Sequence, residues 1–220
     1  VGGAQPAEDI TFRSNFFYRS APQFGYDSKA NRKLLVEQNY FASGLLLNWW
    51  KGVVIRDNTL YNMTPDGQTK SVSVTLAPGG TLADYAIDGN RYFQSYRNGN
   101  DFYVRFPQHG GGYTFSRWQQ ETGYDKASAY QTGPRLRPPN AVFIRRNEYD
   151  PGRAHIIIYN WERRDSVDPA DGARLWSKPA RADGWDWPVF TDDAIVELDA
   201  SVPSLSGLDW ATGRKLWEVP

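Results

Sequence analysis

The sequence predicts an all-β chain whose N-terminal half is a stack of coils. Three observations carry that prediction. A short segment recurs four times with an asparagine at the same place, as ITFRSNFFY (10–18), LLVEQNYFA (34–42), VVIRDNTLY (53–61) and YAIDGNRYF (85–93). Apolar residues alternate through each copy. The intervals between Asn15, Asn39, Asn58 and Asn90 are 24, 19 and 32 residues, so the motif is fixed while the linking loops vary. A fifth segment, VFIRRNEYD (142–150) with Asn147, fits the pattern in part.

Each position of the motif has a physical reading. Strand alternation turns Ile10 and Phe12 inward, with Leu34 and Val36, Val53 and Ile55, and Tyr85 and Ile87 as their equivalents. One coil cannot bury such a face alone, whereas stacked coils can. Asparagine tolerates a left-handed corner, and its amide bonds to backbone at a turn. Repeated at one corner of every coil, the amides form a ladder. The residue two after each asparagine (Phe17, Phe41, Leu60, Tyr92) fills the core beyond the corner.

This pattern resembles the right-handed parallel β-helix of pectate lyases and related secreted bacterial proteins. The resemblance covers about residues 8–106 and implies β-helix coils over 1–106. Residues 107–140, rich in Gly, Pro and aromatics, read as a long loop-like segment wrapping the last coils, with one short helix near TFSRWQQETG. Residues 141–220 read as a C-terminal β cap and small β extension. There, AVFIRRNEYDPGRAHIIIYNWERRDSV reads as two strands joined by a YDPGRA turn, an antiparallel β-hairpin expected to cap the open strand edges of the solenoid. VDPADGARLW (167–176) and LDWATGRKLW (208–217) match each other and are similar to the tryptophan-docking repeat of quinoprotein-type propellers. Two copies cannot close a propeller. The resemblance implies a secreted, periplasmic or cell-surface protein. The opening VGGAQPAEDITF, without an initiator Met, is expected in a mature product or fragment, with further coils or a partner chain completing the stack.

Composition excludes several functions. Net charge is zero, which leaves no global basic field for nucleic acid. No run of 18 apolar residues provides a membrane-spanning helix. The absence of Cys removes disulfides, thiol catalysis and Cys-ligated zinc, and two His make a transition-metal site unexpected. His109 sits in PQHGGG, an oxyanion-type motif with no G-x-S-x-G elbow, and His155 lies in a strand. No phosphate-loop or dinucleotide fingerprint is present.

The chemistry then rests on the outward residues beside each asparagine. Arg13, Glu37, Arg56 and Asp88 form one column of alternating charge, and Ser14, Gln38, Asp57 and Gly89 form the next. Strands in such a ladder lie ~4.8 Å apart. The column reads either as a surface ion-pair ladder, worth at most ~1 kcal/mol per exposed pair, or as a polysaccharide-binding face. For a lyase on uronic-acid glycans, the resemblance implies Arg56 or Lys51 as base, with Glu37, Asp57 and Asp88 as possible Ca²⁺ ligands. For a glycoside hydrolase, Asp57 and Asp88 would be the carboxylate pair, ~5–5.5 Å apart for retention or ~6.5–9.5 Å for inversion. Arg13 and Glu37 are candidate substrate contacts, and Trp49 and Trp50 candidate stacking platforms. A non-catalytic rod or glycan-binding part of a larger surface protein is the alternative.

Overall fold

The structure, a computed structural model, describes residues 5–26, 29–63, 70–95, 99–106, 110–150, 153–163 and 214–219, with strands at 189–190, 195–199 and 204–208. The chain divides into two units, Val1–Pro138 and Pro139–Pro220. It is mostly β, with parallel sheets in the first unit. No described helix is long and apolar enough to cross a membrane.

The first unit runs through β1 (Glu8–Arg13), β2 (Phe16–Tyr18), β3 (Gln23–Phe24), β4 (Asn31–Glu37), β5 (Tyr40–Ala42), β6 (Leu45–Arg56), β7 (Thr59–Asn62) and β8 (Val72–Leu76). It continues with β9 (Tyr85–Asp88), β10 (Arg91–Gln94), β11 (Phe102–Arg105), β12 (Gly110–Tyr113), helix α1 (Phe115–Thr122) and β13 (Ala129–Thr132). Pairing places these strands in three parallel rows. Row one is β1, β4, the second half of β6, and β9. Row two is β2, β5, β7, β10 and β13. Row three is β3, the first half of β6, β8 and β11, with β12 added antiparallel. The chain visits the rows in turn and returns to the first, so each circuit stacks on the one before.

Register follows the asparagine motif. Ile10 faces Leu34, Leu34 faces Val53 and Val53 faces Tyr85, while Phe12, Val36, Ile55 and Ile87 form the parallel series. From Leu34 onward these side chains are buried; Ile10 and Phe12, on the first circuit, are half-buried against the core. Phe41, Leu60 and Tyr92 fill the core behind the corner, and the Phe17 ring packs tilted against Phe41 with centroids 5.4 Å apart.

The amide ladder is present over four rungs. Asn39 Nδ2 donates to Asn58 Oδ1 at 2.9 Å, and Asn58 Nδ2 to Asn90 Oδ1 at 3.0 Å. Asn15 Nδ2 donates to Asn39 Oδ1 at 3.1 Å. Each of these oxygens also accepts the backbone N–H of the preceding rung. Two details differ from the sequence reading. The left-handed residue is the one before each asparagine: Ser14, Gln38 and Asp57 at φ 55–56° and Gly89 at 69°. The asparagine itself is then free to hydrogen-bond along the stack. Asn147 is no rung; its Oδ1 accepts from Tyr149 N and Asp150 N in a hairpin turn.

Residues 110–138 are more ordered than a loop. Thr114 caps α1 by accepting from Arg117 N, and Gly123 ends it in the left-handed region at φ 76°. The helix lays Trp118 onto Phe102 with ring centroids 5.1 Å apart, both buried. β13 extends row two, and Asp125 N donates to Ile87 O at 2.6 Å.

In the second unit, β14 (Ala141–Arg146) and β15 (Ala154–Tyr159) pair antiparallel with Val142 facing Ile158. β16 (Val189–Phe190), β17 (Ile195–Asp199), β18 (Ser204–Leu208) and β19 (Lys215–Val219) make one antiparallel sheet in sequence order. The second tryptophan repeat therefore spans the β18–β19 connection. The first copy lies outside the described residues.

Candidate functional site

Row one presents the predicted column in register. Arg13 faces Glu37, Glu37 faces Arg56, and Arg56 faces Asp88. Two residues back along each strand, on the same face, lies a second outward column of this row, Thr11, Leu35, Val54 and Ala86, exposed apart from half-buried Leu35. Beyond it, Glu8 faces Arg32 and Arg32 faces Lys51. Left-handed residues Asp9, Lys33 and Gly52 separate that third column from the second. The result is a short outer face with a weakly polar stripe between two charged rows.

Glu37 is the centre of the first column. Its side chain is only 4 % exposed, whereas those of Arg13 and Arg56 are 54 % and 55 % exposed. Arg56 Nε donates to Glu37 Oε2 at 2.8 Å, and Arg13 Nε donates to Oε1. The carboxylate is thus clamped between two guanidiniums, each spending part of its donor fork on it. The Arg56 hydrogen bond, opposed by burial and reinforced by Arg13, holds the Glu37 carboxyl below the usual carboxylate range.

The remaining sequence candidates separate into those on the face and those not. Asp88 Oδ1 accepts from Gly89 N at 2.8 Å and Ala127 N at 2.7 Å, which ties it to the turn after α1. Asp57 is exposed, left-handed, and has no side-chain hydrogen-bond partner among the described residues. Lys51 Nζ donates to Gly79 O at 3.4 Å. Trp49 is half-buried at a bulge, at φ 58°, where the β6–β8 register shifts. Trp50 is a correction: it is 0 % exposed and belongs to the core, so it offers no face for stacking. β6 bends at Trp49 and Gly52, and this change of direction turns Trp50 inside. Trp118 and Tyr124 are likewise core residues.

The possible Ca²⁺ ligands Glu37, Asp57 and Asp88 do not gather. Among the described residues no three His, Cys, Asp or Glu side chains form a group able to hold a metal ion. His155 is exposed on β15, and His109 lies outside the described residues.

Sequence reasoning missed a buried polar cluster at the last rung of the ladder. Asp125 is 0 % exposed and accepts from Trp118 Nε1 at 2.7 Å, Ser128 Oγ at 2.6 Å, Tyr92 OH at 3.1 Å and Asn90 Nδ2 at 3.4 Å. Burial raises its carboxyl above the usual range, and these donors oppose the shift. Asn90 N donates to Ser128 Oγ at 2.8 Å, so Asp125 and Ser128 stand where the next asparagine would be. The signal was available: the last amide of a ladder needs an acceptor, and the fifth candidate, Asn147, lay in a turn sequence. A second buried carboxylate, Asp101, accepts from Gln94 Nε2 at 2.7 Å and from Tyr130 OH. Both clusters are closed by protein donors and read as structural. A comparison with protein families, curated proteins and solved structures returned no significant match.

Proposed function

We propose that the first unit is a right-handed parallel β-helix of pectate-lyase-like architecture that binds an acidic polysaccharide on the outer face of row one. One observation carries the reading: a weakly polar stripe, Thr11–Leu35–Val54–Ala86, runs between charged rows that include the half-exposed Arg13 and Arg56. Sugar rings present apolar C–H faces, which suit the stripe. Uronate carboxylates suit guanidinium forks. A secreted or cell-surface location is the setting in which such a polymer is met.

A lyase is the second reading, favoured by Lys51 and Arg56 on the same strand of that face with the unpartnered Asp57 beyond. In that reaction Lys51 or Arg56 removes the proton beside the uronate carboxylate, and Arg13 offsets the charge that develops. The test is calorimetric titration of uronate polymers and matched neutral glycans, followed by ultraviolet absorbance for unsaturated ends and an assay for reducing ends. Binding without new ends supports the glycan-binding reading. Unsaturated ends support the lyase, and reducing ends alone would make the protein a hydrolase. No binding to any acidic glycan removes the proposal.

A further inference from the structure

Glu37 poses a question that glycan binding alone does not answer. A buried carboxylate at the centre of a face for anionic polymers should repel the ligand. Yet its position is specific: it faces Arg13 on one neighbouring strand and Arg56 on the other, and bonds to both. It is covered, while the two arginines remain half exposed.

We propose that Glu37 is a positioning residue that holds the Arg13 and Arg56 guanidiniums two strands apart, so that together they grip two carboxylates of one acidic glycan chain. The inference rests on the binding reading above and adds to it a spacing and a direction. Arg13 and Arg56 lie on β1 and β6 with β4 between, a separation of roughly 10 Å by strand spacing. The polymer then crosses the strands along the stripe, with anionic groups recurring at about that distance. A free arginine on a surface loses side-chain entropy when it binds. An arginine already fixed by Glu37 has lost part of it in advance and still keeps unused N–H donors. Asp88 does not play this part, because its oxygen is engaged by Gly89 N and Ala127 N.

The experiment is calorimetric titration of the full chain with a homo-oligomer of a uronic acid, with the matching neutral oligomer as control. Wild type, Arg13→Gln, Arg56→Gln, Glu37→Gln and Glu37→Asp are compared, each checked for an intact unfolding transition. Arg13→Gln and Arg56→Gln are expected to weaken binding about tenfold each. Charge counting alone predicts that Glu37→Gln, which removes a negative charge from the face, binds the acidic oligomer more tightly. Positioning predicts the reverse, a loss of about fivefold or more, because the amide keeps one uncharged acceptor and turns N–H donors toward the other guanidinium, so the pair is no longer held together. Glu37→Asp keeps the charge but is too short to reach both arginines, and is expected to lose affinity as well. If Glu37→Gln binds as well as or better than wild type while the arginine variants lose affinity, the positioning role is overturned and the binding reading stands. If the arginine variants also bind like wild type, or wild type does not bind, the reading itself falls and the inference with it. Loss of the fold in both Glu37 variants would make Glu37 a structural residue and overturn the proposal.

Discussion

The chemistry of single residues decides which positions tolerate change. Asn58 Nδ2 donates to Val36 O, Arg56 O and Asn90 Oδ1, and its Oδ1 accepts from Asn39. Asn58→Ala would leave several buried groups unpaired and is expected to cost about 3 kcal/mol or more, read as a lowered urea midpoint at unchanged slope. Asn58→Asp should cost a similar amount, since a carboxylate cannot donate to Val36 O or Arg56 O. Gly25, at φ 85°, is equally restricted: a Cβ there would lie 2.0 Å from Asn48 O. Glu37 makes a different, pH-dependent prediction. Its folded-state pKa is lowered, so its contribution is complete above the ordinary value of 4.5 and is lost as pH falls through the folded value. Urea midpoints should therefore fall in acid more steeply for wild type than for Glu37→Gln. Asp125, shifted upward, contributes in the opposite sense, so the difference between the two proteins isolates Glu37.

At the scale of elements, helix α1 and the turn after it close the stack. Trp118 joins the core to Asp125, and Asp125 joins the helix to the ladder. Trp118→Ala is expected to cost about 3–5 kcal/mol, with the near-ultraviolet aromatic signal lost along with stability. The same region carries tyrosines whose burial raises their pKa: Tyr92, Tyr124 and Tyr85, with Tyr130 beyond. A raised tyrosine pKa stabilises fully below the ordinary value of 10.0 and ceases to as pH climbs toward the folded value. An alkaline loss of stability starting near pH 10 follows, to be measured by thermal unfolding across that range. The coil elements were legible in the sequence because the corner asparagine and the apolar alternation are local patterns with one period. The cap was not. Its key contacts, such as Tyr92 to Asp125 and Tyr124 OH to Leu82 O, join residues 33 and 42 positions apart and follow no repeat. Trp50, offered with Trp49 as a stacking platform, lies in the core because the left-handed Trp49 breaks the strand alternation beside it.

For the molecule as a whole, the division after Pro138 separates a unit stabilised by parallel stacking from one built of antiparallel strands. Each hydrophobic cluster residue of the coil, from Phe24 to Tyr124, lies within the first unit. Residues 1–138 alone should therefore unfold cooperatively at a urea midpoint close to that of the same unit in the full chain, as followed by far-ultraviolet circular dichroism. The site column was legible because register in a parallel stack is set by the corner, so residues at equal distance from each asparagine share a row. Which of them would be covered was not legible. Glu37 and Arg56 occupy equivalent positions, and only the ion pairing between strands buries one and leaves the other half exposed.

The amide ladder gives the stack a direction, and with it a unit of growth. Each asparagine from Asn15 to Asn58 donates to the next, and the circuits differ in length, 24, 19 and 32 residues from one asparagine to the next, without disturbing that exchange. A duplicated circuit inserted between two rungs would meet the same donors and acceptors on both sides. The molecule can therefore lengthen only in whole circuits, and each added circuit contributes one more position to every column of the outer face. The outer face would then lengthen by steps, as teeth are added to a comb, and the comb's pitch would stay that of a β-sheet.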